Sequence, residues 1–232
     1  MKVALCISGQ QRQTKILQKE IDKRRLYAFK DVDVDFFLHT WKNQILFYYD
    51  DLITEVEPNI DYDPVLDTTE WAGSYFQSKR KEKKGKSLYN STKQILAHNT
   101  LVSKLKKDYD IIIRCRWDIY FSENINYSEW LKKSYNEGPI SMGHRRWNLV
   151  YLDNPKPMGG LQKKGNLRWE YMISPDAMII HKPKDWDCNK VISLHKKKEL
   201  LPGEWGWYQI LSSGKNNHKG YHGGVLTLAQ RW

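Results

Sequence analysis

The chain has no long hydrophobic run, few cysteines and fewer acidic than basic residues, and the first two shortages exclude whole classes of protein. No segment of the 232 residues approaches the ~20 apolar residues that span a bilayer, and the apolar run near the start is too short for a signal peptide. The three cysteines form neither a CxxC motif nor a zinc-type Cys/His spacing. These absences predict a reduced, cytoplasmic protein without a membrane anchor.

The common nucleotide and nucleic-acid signatures are also missing. Neither the GxGxxG pattern of dinucleotide folds nor the GxxxxGK[ST] pattern of P-loops occurs. No RRM, KH, helix-turn-helix or zinc-finger pattern can be read either. A nucleic-acid partner is therefore not expected, although nucleic-acid binding stays an alternative because of the charge described next.

The formal net charge is +11, from 38 Lys and Arg against 27 Asp and Glu. Such an excess favours nucleotides, nucleic acid or an anionic membrane surface as partners. Part of it lies in the runs Ser78–Lys86 and His195–Lys198, which are typical of solvated surface but would also suit peripheral attachment to an acidic membrane. Aromatic residues make up 13% of the chain, and their rings either pack in the core or stack on a sugar or base.

The apolar spacing predicts an α/β fold in one domain over 1–232, with a mainly parallel sheet flanked by helices. Residues 1–121 form its regular, nucleotide-type half and 122–232 a more irregular half. The predicted strands are Lys2–Ser8, Asp33–His39, Asp61–Leu66, Ile111–Arg116, Pro139–Gly143 and Ser174–His181. The predicted helices are Thr14–Phe29, Ile45–Val56, Leu88–Lys106, Ser128–Tyr135, Asn189–Leu200 and Trp205–Ser213, with irregular segments at Thr68–Lys86 and Leu152–Leu167.

The most informative stretch is Tyr109–Phe121, YDIIIRCRWDIYF, an apolar strand that runs into Arg114, Arg116 and Asp118. Charges at the end of a buried strand need partners, and ligands of α/β sheets bind at the carboxyl edge. A polyanionic ligand would pair with both arginines, and Asp118 would hold Mg²⁺ or Mn²⁺ if phosphates completed the shell. The alternative is a plain ion pair between Arg116 and Asp118.

Polar residues follow three of the predicted strands. Ser8-Gly9-Gln10-Gln11-Arg12 lies at the end of Lys2–Ser8, His39-Thr40-Trp41 at the end of Asp33–His39, and Arg116-Trp117-Asp118 at the end of Ile111–Arg116. Because the carboxyl ends of parallel strands face one edge, these clusters are expected to converge on one ligand. Gly9 would let the backbone approach that ligand and Arg12 would bind a phosphate, unless SGQQR is an ordinary turn.

Three further candidates lie in the second half. Asp176 in ISPDAMIIH and Glu204 in LPGEWGWYQIL would each serve as a general base beside an acceptor pocket. Glu204 would equally suit the first turn of a helix, where a carboxylate favours the dipole. His222 in YHGG is a candidate metal ligand or a structural histidine.

The segments VALCISGQQR, DVDFFLHTW, KKDYDIIIRCRWDIYF, ISPDAMIIHKP and PGEWGWYQIL together resemble small GT-A-type glycosyltransferases. Such proteins occur in bacterial surface-polysaccharide clusters and in large viruses and phages. The resemblance covers most of the chain in the right order. It implies a single GT-A domain, a nucleotide-sugar donor, a glycan or lipid-linked acceptor and usually a divalent metal, in a bacterial or virus-infected cytoplasm.

Carried over by position, the resemblance implies that Ser8, Gly9, Gln10, Arg12 and Thr40 meet the nucleotide. Arg114, Arg116 and Asp118 would occupy the region of the DxD motif for metal and pyrophosphate. Asp176 and Glu204 would lie toward the acceptor.

The sequence RWD, however, offers one carboxylate where DxD has two. Arg116 would therefore supply part of the positive charge that a metal brings to the pyrophosphate in the family. A catalytically inactive, glycan-binding relative is the other alternative.

Overall fold

Strands and helices alternate along the chain. The computed structural model describes residues 1–11, 15–46, 48–60, 86–106, 108–121, 127–142, 156–158, 178–200, 203–211, 219–222 and 226–228. The strands are β1 (Lys2–Ile7), β2 (Asp33–Trp41), β3 (Leu52–Glu55), β4 (Ile111–Cys115), β5 (Ile119–Phe121), β6 (Ile140–Met142), β7 (Lys156–Met158), β8 (Met178–His181), β9 (Lys219–His222) and β10 (Leu226–Leu228). The helices are α1 (Lys15–Ala28), α2 (Lys86–Ser103), α3 (Tyr127–Glu137), α4 (Cys188–Lys196) and α5 (Gly203–Leu211), with 3₁₀ turns at Lys42–Gln44 and Pro183–Asp185.

Eight of the described strands form one sheet in the order β3-β2-β1-β4-β8-β6-β9-β7. The first four are parallel to one another, β8 is antiparallel to both of its neighbours, and β9 is parallel to β6 and antiparallel to β7. Strands from both halves of the chain therefore join the same sheet. β5 and β10 pair separately as an antiparallel ribbon. This mixed, mainly parallel arrangement confirms the predicted α/β class.

Two predictions for local structure were wrong. The helix expected over Ile45–Val56 is absent from the described residues of that segment, which contains β3 instead, because residues 52–55 pair with residues 38–41 of β2 and include the β-branched Ile53 and Thr54. The irregular segment Leu152–Leu167 contains β7, which pairs with β9. The predicted strand Asp61–Leu66 lies outside the described residues, as does the segment Thr68–Lys86 apart from Lys86, where α2 begins.

The core has two apolar layers because β1 and β4 are buried on both faces. Leu5 and Ile113 pack on one side with Phe29, which follows α1. Ala4 and Ile112 pack on the other side with Leu101 of α2. A strand buried on both faces reads as a continuous apolar run, which is why these two were easy to predict. None of the helices in the described part of the chain combines the length and apolar character that crossing a bilayer requires.

A buried pair of histidines lies between α2 and β8. The Nε2 atoms of His98 and His181 are 3.1 Å apart, and both side chains are fully buried, with the Trp186 ring against each. His181 Nδ1 lies 2.8 Å from the carbonyl oxygen of Lys182. That nitrogen therefore carries the proton, so a neutral His181 accepts a hydrogen bond at Nε2 and His98 donates it.

Burial keeps both rings neutral. It lowers the pKa of His181 from 6.5 to about 4. Burial, the neighbouring His181 and the cation of Arg114 hold the pKa of His98 well below its ordinary value. The unfolded chain therefore binds more protons than the folded chain between pH 6.5 and about 4, so stability must fall as the pH falls through that window.

We expect the free energy of unfolding to fall between pH 6.5 and 4 by roughly 3 kcal/mol from His181 alone. The double variant His98→Gln/His181→Gln, whose amides do not protonate there, should be less stable at pH 7 but show a flatter pH dependence. Equilibrium urea unfolding at several pH values measures this. Ser193→Ala, at an exposed position of α4, changes no titratable group and should keep the wild-type slope. An equally steep slope in the double variant would contradict the assignment.

Candidate functional site

The polar clusters that follow β1 and β4 leave the sheet side by side. Ser8 is fixed at the end of β1 because its backbone N–H donates to the carbonyl oxygen of Cys115, the last residue of β4, at 3.0 Å. Gly9 follows Ser8 and Arg116 follows Cys115, so these two residues leave the sheet next to each other. The expected convergence of strand ends at the carboxyl edge is therefore realised for β1 and β4.

Gly9 has a backbone φ of +106°, which L-residues rarely adopt. A Cβ built at this position would lie 3.7 Å from Cγ of Gln94 in α2, an ordinary contact distance. The backbone conformation, rather than lack of space, therefore requires glycine here. The turn brings the main chain of residues 9 and 10 to the wall of a cleft.

This cleft is shallow and open to solvent, and it lies at the carboxyl ends of β1, β2 and β3, beneath α2. It is lined by Gly9, Gln10, Trp41, Gln44, Glu57, Lys93 and Gln94. The lining thus combines the main chain of Gly9 with three glutamines, a tryptophan and one ion pair. Such a lining suits a small ligand that is flat on one side and rich in hydrogen-bonding groups.

Glu57 organises one wall of the cleft. Its Oε1 accepts a hydrogen bond from Lys93 Nζ at 2.8 Å, and its Oε2 accepts from Asn43 Nδ2 at 2.7 Å and Gln44 Nε2 at 3.0 Å. Burial alone would raise the pKa of Glu57, but these hydrogen bonds and the Lys93 charge outweigh it and hold the pKa below its ordinary value. The wall therefore carries a fixed carboxylate whose charge is compensated by Lys93.

Arg114 lies behind the cleft residue Gln94 and is fully buried. Its Nη2 donates to Gln94 Oε1, and its guanidinium carbon lies 4.8 Å from the centre of the Trp207 ring of α5. Because Gln94 Oε1 faces Arg114, the Gln94 amide is held in one orientation beside Gly9. Arg114 thus reaches the cleft through Gln94.

Arg116 and Asp118 form a two-bond ion pair at the sheet edge. Arg116 Nε donates to Asp118 Oδ1 at 2.8 Å and Nη2 donates to Oδ2 at 2.6 Å. The side chains are 15% and 6% exposed. The plain ion pair that the sequence left open is therefore present, and it holds the Arg116 guanidinium in a fixed position just after the carboxyl end of β4.

The buried Arg25 of α1 is hydrogen-bonded to the backbone of the turn at residues 116–118, which follows β4. Arg25 Nη2 donates to the carbonyl oxygens of Arg116 at 2.9 Å and Trp117 at 2.7 Å, and Nη1 donates to Asp22 at 2.8 Å. Asp22 also accepts from the Tyr49 hydroxyl at 2.5 Å. Burial and this bond to Asp22 raise the pKa of Tyr49, so the phenol remains a donor.

Two hydroxyl groups at this edge are buried without a hydrogen-bond partner among the described residues. They are Ser8 Oγ, in a residue 1% exposed, and Thr40 Oγ1, in a residue 0% exposed. Buried hydroxyls are almost always hydrogen-bonded in proteins, so two exceptions near one strand edge call for an explanation. Both were singled out from the sequence as ligand-binding candidates.

The remaining candidates from the sequence are Arg12, Asp176, Glu204 and His222, and the structure describes the side chains of none of them. Arg12 and Asp176 are outside the described residues. Glu204 lies in the first turn of α5, one turn before Trp207, and His222 lies at the end of β9; their side chains are not among those described.

A divalent cation does not fit the described residues of this edge. Both oxygens of Asp118 already accept from Arg116, and no group of three or more His, Cys, Asp or Glu side chains comes together in the described part of the chain. A hard cation beside a guanidinium would also meet like charge.

Sequence reasoning missed Arg25, Gln94 and the Lys93–Glu57 pair. All of them sit in segments that read as ordinary amphipathic helix or loop. The one available signal was the position of Arg25: it shares the inner face of α1 with Gln18 and Ile21, so it had to be buried and paired.

Comparison with known proteins gives a general likeness of fold. No protein-family model matches the chain, and no curated protein matches it either. Among solved structures, S. aureus TarS 1–349 is 10% identical, with a TM-score of 0.44 over 99% of this chain and 60% of that one. 4-Diphosphocytidyl-2C-methyl-D-erythritol synthase from Anaerococcus prevotii DSM 20548 is 9% identical, with a TM-score of 0.45 over 96% and 89%.

A third similar structure is the inositol-1-phosphate CTP transferase from T. maritima, 12% identical, with a TM-score of 0.43 over 98% of this chain and 89% of that one. The chain spans only about 60% of the TarS fragment. TarS 1–349 was also solved with UDP-GlcNAc, at a TM-score of 0.41. At these values the likeness assigns no role to any residue of this chain.

Replacing Arg25 with Met should lower the free energy of unfolding by about 3–5 kcal/mol, because Asp22 loses its cationic partner and the carbonyl groups of Arg116 and Trp117 lose a donor. Urea unfolding at pH 7 measures the loss. Arg24→Met, at the adjacent and more exposed position of the same helix, is the matched control and should cost less than about 1 kcal/mol. Equal losses in the two variants would contradict the role of Arg25.

Proposed function

We propose that the chain is a glycosyltransferase of GT-A-like fold that moves a sugar from a nucleotide-sugar donor to a hydroxyl group of a glycan or lipid-linked acceptor. The observation that carries the proposal is the cleft beside the positive-φ turn at Gly9. It lies at the carboxyl edge of parallel strands, where α/β sheets bind ligands, and the paired Arg116 follows β4 at the same edge of the sheet.

The nucleoside part of the donor would occupy the cleft. Trp41 offers a ring for a base, while the Gln94 amide and the backbone at Gly9 and Gln10 offer hydrogen bonds. The unpartnered hydroxyls of Ser8 and Thr40 support a polar ligand at the same edge, because such a ligand supplies the missing partners.

The diphosphate would lie toward Arg116. Transfer breaks the bond between the anomeric carbon and a phosphate oxygen, and the departing diphosphate gains negative charge as an oxocarbenium-like centre develops. A guanidinium held in place by Asp118 and supported by Arg25 stabilises that charge without having to reorganise. We therefore assign charge neutralisation to Arg116 and derive no step through a metal.

The acceptor hydroxyl must lose its proton to a base as it attacks. Glu204 and Asp176 stay the candidates, and each would take up that proton from a position near the acceptor. Glu204 belongs to α5, whose Trp207 packs against Arg114 close to the carboxyl end of β4. This packing supports Glu204 as the first of the two to replace.

The test is a thermal-shift and calorimetric screen of UDP-, GDP-, CMP- and dTDP-sugars, with UDP-GlcNAc as the first probe and each donor tried with Mn²⁺ and with EDTA. A donor present at about 100 times its dissociation constant adds roughly 2.7 kcal/mol of stability. We expect one nucleotide to bind and its binding to persist in EDTA. The absence of binding by every donor would overturn the proposal, and salt-sensitive binding of RNA or DNA in its place would favour the nucleic-acid alternative.

Arg116→Gln should weaken that donor about 10- to 100-fold, because a charge-assisted hydrogen bond is worth ~1.5–3 kcal/mol. Lys184→Gln removes an exposed cation elsewhere and should leave the affinity unchanged. Asp118→Asn should weaken binding less than Arg116→Gln, since the guanidinium loses only its anchor. Binding that requires Mn²⁺ and disappears in Asp118→Asn would instead assign the charge-neutralising role to a metal at Asp118.

Gly9→Ala should weaken the donor because an alanine forces the turn away from φ +106°. Gly138 has a φ of +111° where the chain leaves α3, so Gly138→Ala imposes a similar strain of about 1–2 kcal/mol away from the cleft. Both variants should lose stability in urea unfolding, but only Gly9→Ala should lose donor affinity. Equal affinity in the two variants would remove the turn from the donor site.

A further inference from the structure

Large exposed apolar side chains concentrate on one surface of the molecule. Nine such side chains occur among the described residues, and five of them belong to α1 and to the segment that follows β2. We call this the α1 surface; it consists of Ile16, Leu26 and Tyr27, which are 79%, 57% and 51% exposed, and Leu46 and Tyr48, which are 60% and 79% exposed.

Two hydrogen bonds connect Leu46 and Tyr49 to residues of α1 or shortly before it. Gln11 Oε1, just before the helix, accepts from the backbone N–H of Leu46 at 2.7 Å. The Tyr49 hydroxyl donates to Asp22 of the helix at 2.5 Å. Leu46 and Tyr48 are therefore fixed beside the helix, and the five apolar side chains form part of one surface.

Cations are interspersed with these apolar side chains. Lys15, Lys19, Lys23 and Lys30 are exposed on or directly after α1, and Arg24 is partly exposed. Against them stand the exposed acids Glu20 and Asp31, and Asp50 and Asp51 just after Tyr49, while Asp22 is paired with the buried Arg25. The Lys30 ammonium lies 4.6 Å from the centre of the Tyr27 ring. The excess of positive charge thus lies on α1 itself, where Lys15, Lys19, Lys23 and Arg24 stand against Glu20 alone.

We propose that the α1 surface docks on an anionic lipid bilayer. A helix that lies in the interface puts its apolar side chains at the headgroup level while its lysines meet acidic headgroups, and long lysine side chains reach that charge easily. Tyrosine favours the same depth because its ring is apolar and its hydroxyl is polar.

Charge alone would also suit a nucleic acid, but a bilayer satisfies both features of the surface. A phosphate backbone pairs with the lysines and leaves Ile16 and Leu26 in water. The headgroup region accepts the lysines and the apolar side chains together. The cationic run His195–Lys198 at the end of α4 has only one exposed large apolar side chain near it, Ile192 at 42% exposed, against five on the α1 surface, and so it provides an internal control.

The experiment is flotation of the full-length chain with phosphatidylcholine vesicles that contain either none or about a third phosphatidylglycerol, without nucleotide. It is therefore independent of the donor site. We expect binding to the acidic vesicles only. Because each lysine at an anionic surface contributes about 1 kcal/mol, Lys19→Gln/Lys23→Gln should lower the partition coefficient roughly 30-fold. Lys196→Gln/Lys197→Gln removes the same charge from α4 and should leave binding within about twofold.

The apolar contribution is tested by Ile16→Ser/Tyr27→Ser, which should weaken vesicle binding at least tenfold, since burying one such side chain is worth ~1.5–3 kcal/mol. Circular dichroism melting of each variant checks that the fold is intact. Absence of binding to acidic vesicles would overturn the proposal. So would equal losses from the α1 and α4 lysine pairs, or unchanged binding by Ile16→Ser/Tyr27→Ser, because either would indicate attraction by net charge alone.

Discussion

The arrangement of the candidate site depends on one buried guanidinium. Arg25 is fully enclosed, yet its N–H groups connect α1 to the two carbonyl groups of the turn that carries Arg116 and Asp118. A buried cation is tolerated only with such partners, because removing any of them leaves charge or a polar group without compensation. Helix α1 therefore does more than cover the sheet: it determines where the turn after β4 lies, and so where the Arg116 guanidinium stands relative to Gly9.

The two arginines of RCRW occupy different surroundings. Arg114 lies under α2 and α5, where Gln94 and Trp207 enclose it, whereas Arg116 reaches the edge and pairs with Asp118. From the sequence, one polyanionic ligand was expected to pair with both arginines. The structure instead separates a buried residue that orients one wall of the cleft from a residue at the sheet edge itself.

Much of the fold could be predicted because β1 and β4 are continuous apolar runs and because α1 and α2 keep helical spacing. β3 could not, since Leu52–Glu55 is short and becomes a strand only through pairing with β2. The sequence also located the edge, through Ser8, Gly9 and Arg116. The sequence could not show which residues of α2 line the cleft. Nothing local distinguishes Lys93 and Gln94 from solvent-facing residues, and their positions follow from how α2 crosses the sheet.

The place of β8 has a consequence for the order of folding. Residues 178–181 pair with β4, which ends some sixty positions earlier in the chain, and they also join β4 to β6. Until that segment leaves the ribosome, the isoleucine-rich β4 is an edge strand whose N–H and C=O groups can pair with another chain. A nascent chain that ends soon after Phe121 would thus contain the ends of β1 and β4 while the β4 edge of its sheet has no neighbouring strand. Dependence on chaperones should therefore be greatest during synthesis of the middle of the chain.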